Sequence, residues 1–218
     1  MIVVSDMMGT LTTGSPFLGL VNWVKHNQSK VRANWYMASI APSYMLAKRG
    51  IIDWQEWGQK LMVNSLGYIK DATPEVVSHA SEWLVEYDLW KNRRLDVIDR
   101  LVKHREGGDK TYIASSVVEP FIEPFARRIG AEVIGTPTEI VNGRLRMVGG
   151  LVANEKKIEQ VLSRLGVDKV DVAYGDTILD VPMLEHADHP VAVYPDAKLK
   201  KIAQDRGWEI LGDTPWYQ

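Results

Sequence analysis

Ile2-Val3-Val4-Ser5-Asp6-Met7-Met8-Gly9-Thr10-Leu11 begins as a β-branched apolar run and breaks at an acid followed by a Gly-Thr turn. Residues 2–5 have the composition and length of a short buried strand. Two later stretches are built the same way, Tyr112-Ile113-Ala114-Ser115 and Val172-Ala173-Tyr174-Gly175-Asp176-Thr177-Ile178-Leu179-Asp180. Each puts an oxygen-bearing side chain just past an expected strand. One Asp after a strand is an ordinary turn or cap residue. Three such stretches in order, with a lysine-bearing helix before the last, form a pattern that invites a common explanation.

Outward from these anchors the texture of the chain changes twice. From Ser15 to about Asn92 it is helical. Thr73-Pro74-Glu75 is a helix start, with a hydroxyl at the N-cap and proline at the first position. Val76, Val77, Ala80, Trp83, Leu84 and Tyr87 follow it at helical spacing. Trp54, Trp57, Leu61 and Met62 form a second stripe that Gly67 would stop. Val31, Trp35, Ala38 and Tyr44 to Leu46 predict a third helix, bent or split at Pro42.

After residue 93, helices alternate with short strands. Leu95, Ile98, Leu101 and Val102 mark a helix closed by Gly107-Gly108, and Thr111–Ala114 is a strand. Pro120–Ile129 is a helix ended by Gly130, and Glu132–Gly135 a strand. Asn142-Gly143 centres a hairpin over Thr138–Val148. Glu155–Leu165 is a helix ended by Gly166, and further strands are expected at Val170–Tyr174, Val191–Tyr194 and Trp208–Leu211. Strands alternating with helices predict right-handed crossovers and a mostly parallel sheet. The first strand therefore belongs with the C-terminal part. Residues 1–14 and 93–218 make an α/β core, and 15–92 are a helical insertion.

Composition narrows the function classes. The 218 residues carry 26 basic and 28 acidic side chains for a net charge of -2, which gives no electrostatic case for a nucleic-acid or anionic-membrane partner. The absence of cysteine removes disulfides, cysteine-ligated zinc and a thiol nucleophile. No basic-then-apolar leader precedes Ile2, and no apolar run approaches the length of a membrane span, so a soluble cytoplasmic protein is expected.

In an open parallel sheet, ligands bind in the crevice beyond the carboxyl ends of the strands. Asp6, Ser115 and Asp176 each fall at such an end. Asp6 is a candidate nucleophile for an aspartyl-phosphate, or else a turn acid. Ser115, with Ser116, offers a hydroxyl and nearby N–H groups to a phosphate at a helix start, or else a plain cap. Asp176 and Asp180, four apart after Gly175, suit Mg²⁺, although paired acids in a first turn also complement a helix dipole. Lys157 heads a helix with an apolar face at Ile158, Val161, Leu162 and Leu165 and would neutralise phosphate, with Lys156 its immediate competitor. His26, His79, His104, His186 and His189 show no ligand spacing.

Taken together these residues resemble the haloacid dehalogenase (HAD) superfamily, in its phosphoserine-phosphatase-like branch. Asp6-Met7-Met8-Gly9-Thr10-Leu11-Thr12 is similar to the first family motif, Asp-x-Asp-Gly-Thr. Ala114-Ser115-Ser116 through Pro120-Phe121 is similar to the second, Lys157 to the third, and Gly175-Asp176-Thr177-Ile178-Leu179-Asp180 to the fourth. Asn142-Gly143-Arg144 and the run from Pro195-Asp196 to Gly207-Trp208 also resemble that branch. The resemblance implies a Rossmann-like parallel-sheet core with an inserted all-helical cap, and a phosphatase that hydrolyses a small phosphomonoester. It makes Asp6 the nucleophile and gives Mg²⁺ the ligands Asp6, the Met8 carbonyl and Asp176, with Asp180 behind or on the metal. Ser115, Ser116 and Lys157 would hold phosphate, and Gly9 and Thr10, on the first turn that Thr10 supports, would bind substrate with them.

Met8 departs from the motif, because a thioether replaces the acid that protonates the leaving oxygen and activates water. General acid–base catalysis is worth about 10²–10⁴-fold. An intact metal and phosphate site with impaired turnover is therefore expected. Two other readings compete: a phospho-ligand binding protein, and a metal-free 2-haloacid dehalogenase, against which the paired carboxylates argue.

Overall fold

The computed structural model describes residues 1–212, so the last six residues of the expected core range lie outside the described part. Ile2–Ser5 forms β1. The helical region follows as α1 (Pro16–Asn27), α2 (Lys30–Lys48), α3 (Trp54–Ser65) and α4 (Pro74–Leu84). Then come α5 (Leu95–Glu106), β2 (Lys110–Val118), α6 (Glu119–Ile129), β3 (Glu132–Thr136) and a hairpin of β4 (Thr138–Val141) and β5 (Arg144–Met147). The chain continues through α7 (Glu155–Leu165), β6 (Val170–Gly175), α8 (Val181–Glu185), β7 (Ala187–Val193), α9 (Ala197–Arg206) and β8 (Glu209–Leu211).

Six strands form one parallel sheet in the order β3-β2-β1-β6-β7-β8. Alternate side chains of β1 point to opposite faces, which divides the core. Val3 joins Ile113 and Val172 with the apolar sides of α5 and α6. Val4 joins Ala114 and Ala173 with α7, α8 and α9. The strand order reverses beside β1, with β2 on one side and β6 on the other, so the crevice beyond β1 and β6 is a topological switch point. The fold is the α/β type expected from the alternation of elements. Among the described residues, no helix is long and apolar enough to cross a membrane.

The helical region leaves and rejoins the sheet through two paired segments. Thr13 N–H donates to Asn92 O at 3.0 Å, Thr12 Oγ1 donates to Leu89 O at 2.7 Å, and Thr12 bridges Arg93 in antiparallel fashion. A π-helical turn at Val85–Leu89 precedes the return. The hairpin turn is as expected, with Asn142 and Gly143 at φ 50° and 69°, the left-handed pair that a tight hairpin turn requires. Its Gly143 carbonyl accepts from Ala72 N at 2.9 Å, which docks the hairpin on the helical region.

Two expectations need correction. The helix over residues 30–48 is not split at Pro42, whose ring lies on an exposed surface, and runs unbroken through it. The apolar stripe that predicts this helix faces outward, with Val31 77% and Trp35 74% exposed, while Ala33, Tyr36 and Ala47 are the buried residues. β2 does not stop at Ala114. It continues to Val118 with a register shift: Ala114 pairs with Ile134 and Val118 with Thr136, so four steps on β2 oppose two on β3. Ser115 therefore sits in a bulge ahead of α6 rather than at the helix cap.

Candidate active site

The end of β1 and the end of β6 meet at the switch point. Asp6 N–H donates to Tyr174 O at 2.9 Å, which extends the parallel pairing one residue past the strand and brings Asp6 beside the Gly175-Asp176 turn. Asp6, Asp176 and Asp180 are all buried, and one carboxylate oxygen from each lies within 4.8 Å of the others. Lys157, 4% exposed, reaches in from α7, its Nζ 2.7 Å from Oδ1 of Asp6 and 2.7 Å from Oδ1 of Asp180. Lys156 is exposed. Thr10 Oγ1 donates to Asp176 Oδ1 at 3.0 Å.

The turn after Asp6 is fixed by its own backbone. Gly9 N–H donates to Thr12 O at 2.7 Å, and Leu11 and Thr12 N–H both donate to Met7 O at 2.9 and 3.1 Å. Arg94 clamps the same turn from the returning segment, its Nε 2.8 Å from Gly9 O. None of these bonds uses the Met8 carbonyl. The Met8 side chain is half-buried and packs against the larger apolar cluster.

Asp180 braces the second turn. Its Oδ2 accepts from Asp176 N–H and Thr177 N–H, each at 3.1 Å, and from Thr177 Oγ1 at 3.3 Å. That closeness depends on Gly175, where a Cβ would stand 2.5 Å from Asp180 Cβ. Ser115 is buried and placed by register: Ser5 lies opposite Ile113, so Ser115 is level with the residue after Asp6. Its Oγ accepts from Val117 N–H at 3.3 Å, and the Ser116 carbonyl accepts from Thr136 Oγ1 at 2.8 Å.

The electrostatics are those of an over-concentrated anionic site. Burial pushes the Asp6 carboxyl up to about 6, opposed by Lys157 and reinforced by Asp180. Burial, then the Asp180 and Asp6 carboxylates, hold Asp176 well above the usual carboxylate range. Burial alone would loosen the Lys157 proton, but Asp180 and Asp6 outweigh it and the lysine stays more basic than usual. Three buried carboxylates gathered at one point offer hard oxygen donors, and a hard divalent cation suits that donor set.

Some contributing residues had no assigned role in the sequence reading. Asp196 is the N-cap of α9 through Leu199 N–H at 2.7 Å; its Oδ2 also accepts from Ile178 N–H at 3.0 Å, and its N–H donates to Asp176 O at 2.9 Å. Its place at an expected helix start was the available signal. Arg94 gave none, since its contact with Gly9 spans 85 residues. Asn154 starts the helix of Lys157 at φ 54°, with Oδ1 buried and without a hydrogen-bond partner among the described residues.

Comparison with known proteins gives a consistent picture. The family described as haloacid dehalogenase-like hydrolase matches residues 3–185. Phosphoserine phosphatase SerB1 of Mycobacterium tuberculosis is 35% identical over 114 residues, which are 49% of this chain and 37% of that protein. The likeness thus spans little more than a third of SerB1. Histidinol-phosphatase of Neisseria meningitidis serogroup C is 28% identical over 151 residues, 63% of this chain and 66% of that one. A crystal structure of a protein of unknown function from Bordetella pertussis Tohama I superposes with a TM-score of 0.76 at 21% identity, over 97% of both chains.

Proposed function

This chain belongs to the haloacid dehalogenase-like hydrolase family, and we propose that it is a Mg²⁺-dependent phosphatase acting on a small phosphomonoester. The observation that carries the reading is the buried group of Asp6, Asp176 and Asp180 held around the Lys157 ammonium. In this proposal Asp6 attacks phosphorus as an oxygen nucleophile and the ester oxygen leaves, forming an aspartyl-phosphate that water then hydrolyses. Lys157 and Ser115, with Ser116 beside it, hold the phosphoryl oxygens. Gly9 and Thr10 keep the turn after Asp6 in shape.

Asp6, Asp176 and the Met8 carbonyl would hold Mg²⁺. Asp180 would stand behind them, since its Oδ2 already takes three donors and its Oδ1 takes Lys157. The ion supplies charge neutralisation at the phosphoryl group. Residues 15–92 act as a cap that covers the crevice, and their paired connections at Thr12–Thr13 and Asn92–Arg93 favour movement as a unit. Met8 offers no proton, so turnover is impaired or altered relative to an enzyme with an acid there.

The names of the relatives above speak for phosphate esters of small metabolites, and the proposal extends that class to this chain. A metal-free dehalogenase has no use for three buried carboxylates. The test is hydrolysis of an aryl phosphate and a panel of small phosphomonoesters, with Mg²⁺ or with chelator, and chloride release from a 2-haloacid measured in parallel. Mg²⁺-dependent phosphate release is expected. Chloride release without metal, or phosphate binding without any turnover, overturns the proposal in favour of the dehalogenase or the binding protein respectively.

A further inference from the structure

The outward face of α2 is apolar as well as its inward face. Val31, Trp35, Ala38, Pro42, Met45 and Leu46 recur at helical spacing along one side, and all are exposed. Trp35 is 74% exposed and Met45 47%. From Ala33 to Ala47 the helix carries no charged residue. A helix that is apolar all round belongs in a core or against an apolar partner. An exposed stripe of this kind marks a surface that something covers.

Charge identifies the cover. The whole chain is close to neutral, but no acid lies between Asp6 and Asp53, while Lys25, Lys30, Arg32, Lys48 and Arg49 do. Lys30 stands exposed at one end of α2, and Lys48 and Arg49 at the other, about 28 Å apart at 1.5 Å per residue. A second copy packed antiparallel on this face would set basic ends against basic ends. An anionic lipid surface meets both demands: the stripe enters the boundary between headgroups and acyl chains, and the basic ends lie among the headgroups. Trp35 has the amphipathic ring that settles at that depth.

We infer that this face docks the protein peripherally on anionic membrane, through the apolar stripe of α2 and its basic ends. The full chain is expected to float with vesicles of mixed phosphatidylglycerol and phosphatidylcholine at low salt, but not with phosphatidylcholine alone. High salt should release it. Trp35→Ser should lower the partition coefficient about 10-fold or more, and Lys48→Gln with Arg49→Gln about 25-fold, at about fivefold per charge. Both variants lie on an exposed surface and should keep the circular dichroism spectrum and the rate on a soluble aryl phosphate. Failure to bind either vesicle overturns the inference, as does binding that Trp35→Ser leaves unchanged. A dimer in sedimentation equilibrium that Trp35→Ser dissolves, without vesicle binding, gives the face to a second copy instead.

Discussion

The Lys157 ammonium lies 2.7 Å from Oδ1 of Asp6, so the residue proposed as nucleophile is held by the only buried lysine among the described residues. The contact joins the first strand to a helix 151 residues further along the chain. It also sets what each partner costs alone. With Lys157→Met, Asp6 and Asp180 lose the ammonium that both contact at 2.7 Å. Removing one partner of a buried ion pair typically costs about 3–5 kcal/mol. The variant should therefore be strongly destabilised in chelator and partly rescued by Mg²⁺. Urea unfolding with and without the metal checks this, and equal stability of variant and wild type in chelator would refute it.

Asp6→Asn keeps the shape of the side chain and removes the nucleophile. Phosphate release should vanish while the unfolding midpoint stays close to wild type or rises, because Lys157 keeps the Asp180 carboxylate as its partner and a buried carboxylate charge has been removed. A folded variant with wild-type turnover would end the assignment of Asp6.

The pH dependence follows from the same burial. The Asp6 carboxyl is raised to about 6, so the folded chain binds that proton more tightly than the unfolded chain does. For this group, metal-free stability should fall as pH rises from the ordinary carboxylate range to about 6, and change little above it. Mg²⁺ competes with the protons on Asp6 and Asp176, so its stabilising effect should grow over the same interval. Melting temperatures with and without Mg²⁺ at about pH 5 and about pH 7.5 test the sign. A Mg²⁺ shift that is larger at the lower pH would contradict it.

Gly175→Ala tests the second turn. The new Cβ would stand 2.5 Å from Asp180 Cβ and 2.9 Å from its Cγ, and neither atom can yield without loosening the three bonds that Asp180 Oδ2 accepts. Overpacking of this kind costs about 1–3 kcal/mol. Mg²⁺ affinity should fall with stability, since Asp176 sits on the turn that Asp180 braces. Calorimetry showing unchanged affinity would separate the brace from the site.

Much of this arrangement is legible in the sequence because it is local. The strand ends before Asp6 and Asp176 are set by apolar runs that stop at polar residues. The Asn142-Gly143 turn and the glycines after Ile129 and Leu165 carry backbone chemistry that needs no tertiary context. What is not legible depends on distant partners. Helical spacing finds the stripe from Val31 to Leu46 but cannot say which face of an all-round apolar helix meets the core. The bulge at Ser115 arises from pairing with β3, and no residue type encodes it. Lys157 and Lys156 are neighbours in sequence, and only the packing of α7 on the sheet sends one inward. The clamp from Arg94 to Gly9 is likewise a product of the fold's closure.

Position 8 decides how the proposed chemistry runs. The turn fixes Met8 through Gly9 and Thr12, and its carbonyl stays outside the turn's hydrogen bonds, so the backbone retains what a metal ligand needs. The side chain is a half-buried thioether packed on apolar neighbours, with no proton to give or take. Formation of the aspartyl-phosphate should then be fast only with leaving groups that need no protonation, such as phenolates. Its hydrolysis, which needs an activated water, should limit turnover. Rapid mixing with an aryl phosphate should give a burst of phenol near one equivalent per site, followed by a slow steady state. Met8→Asp should raise the steady-state rate about 10²–10⁴-fold, the usual worth of general acid–base catalysis. The new carboxylate adds a further charge beside Asp6, so the gain should appear only with Mg²⁺ present. A linear time course together with no gain from Met8→Asp would mean that position 8 does not limit the reaction, and the phospho-ligand binding reading would take precedence.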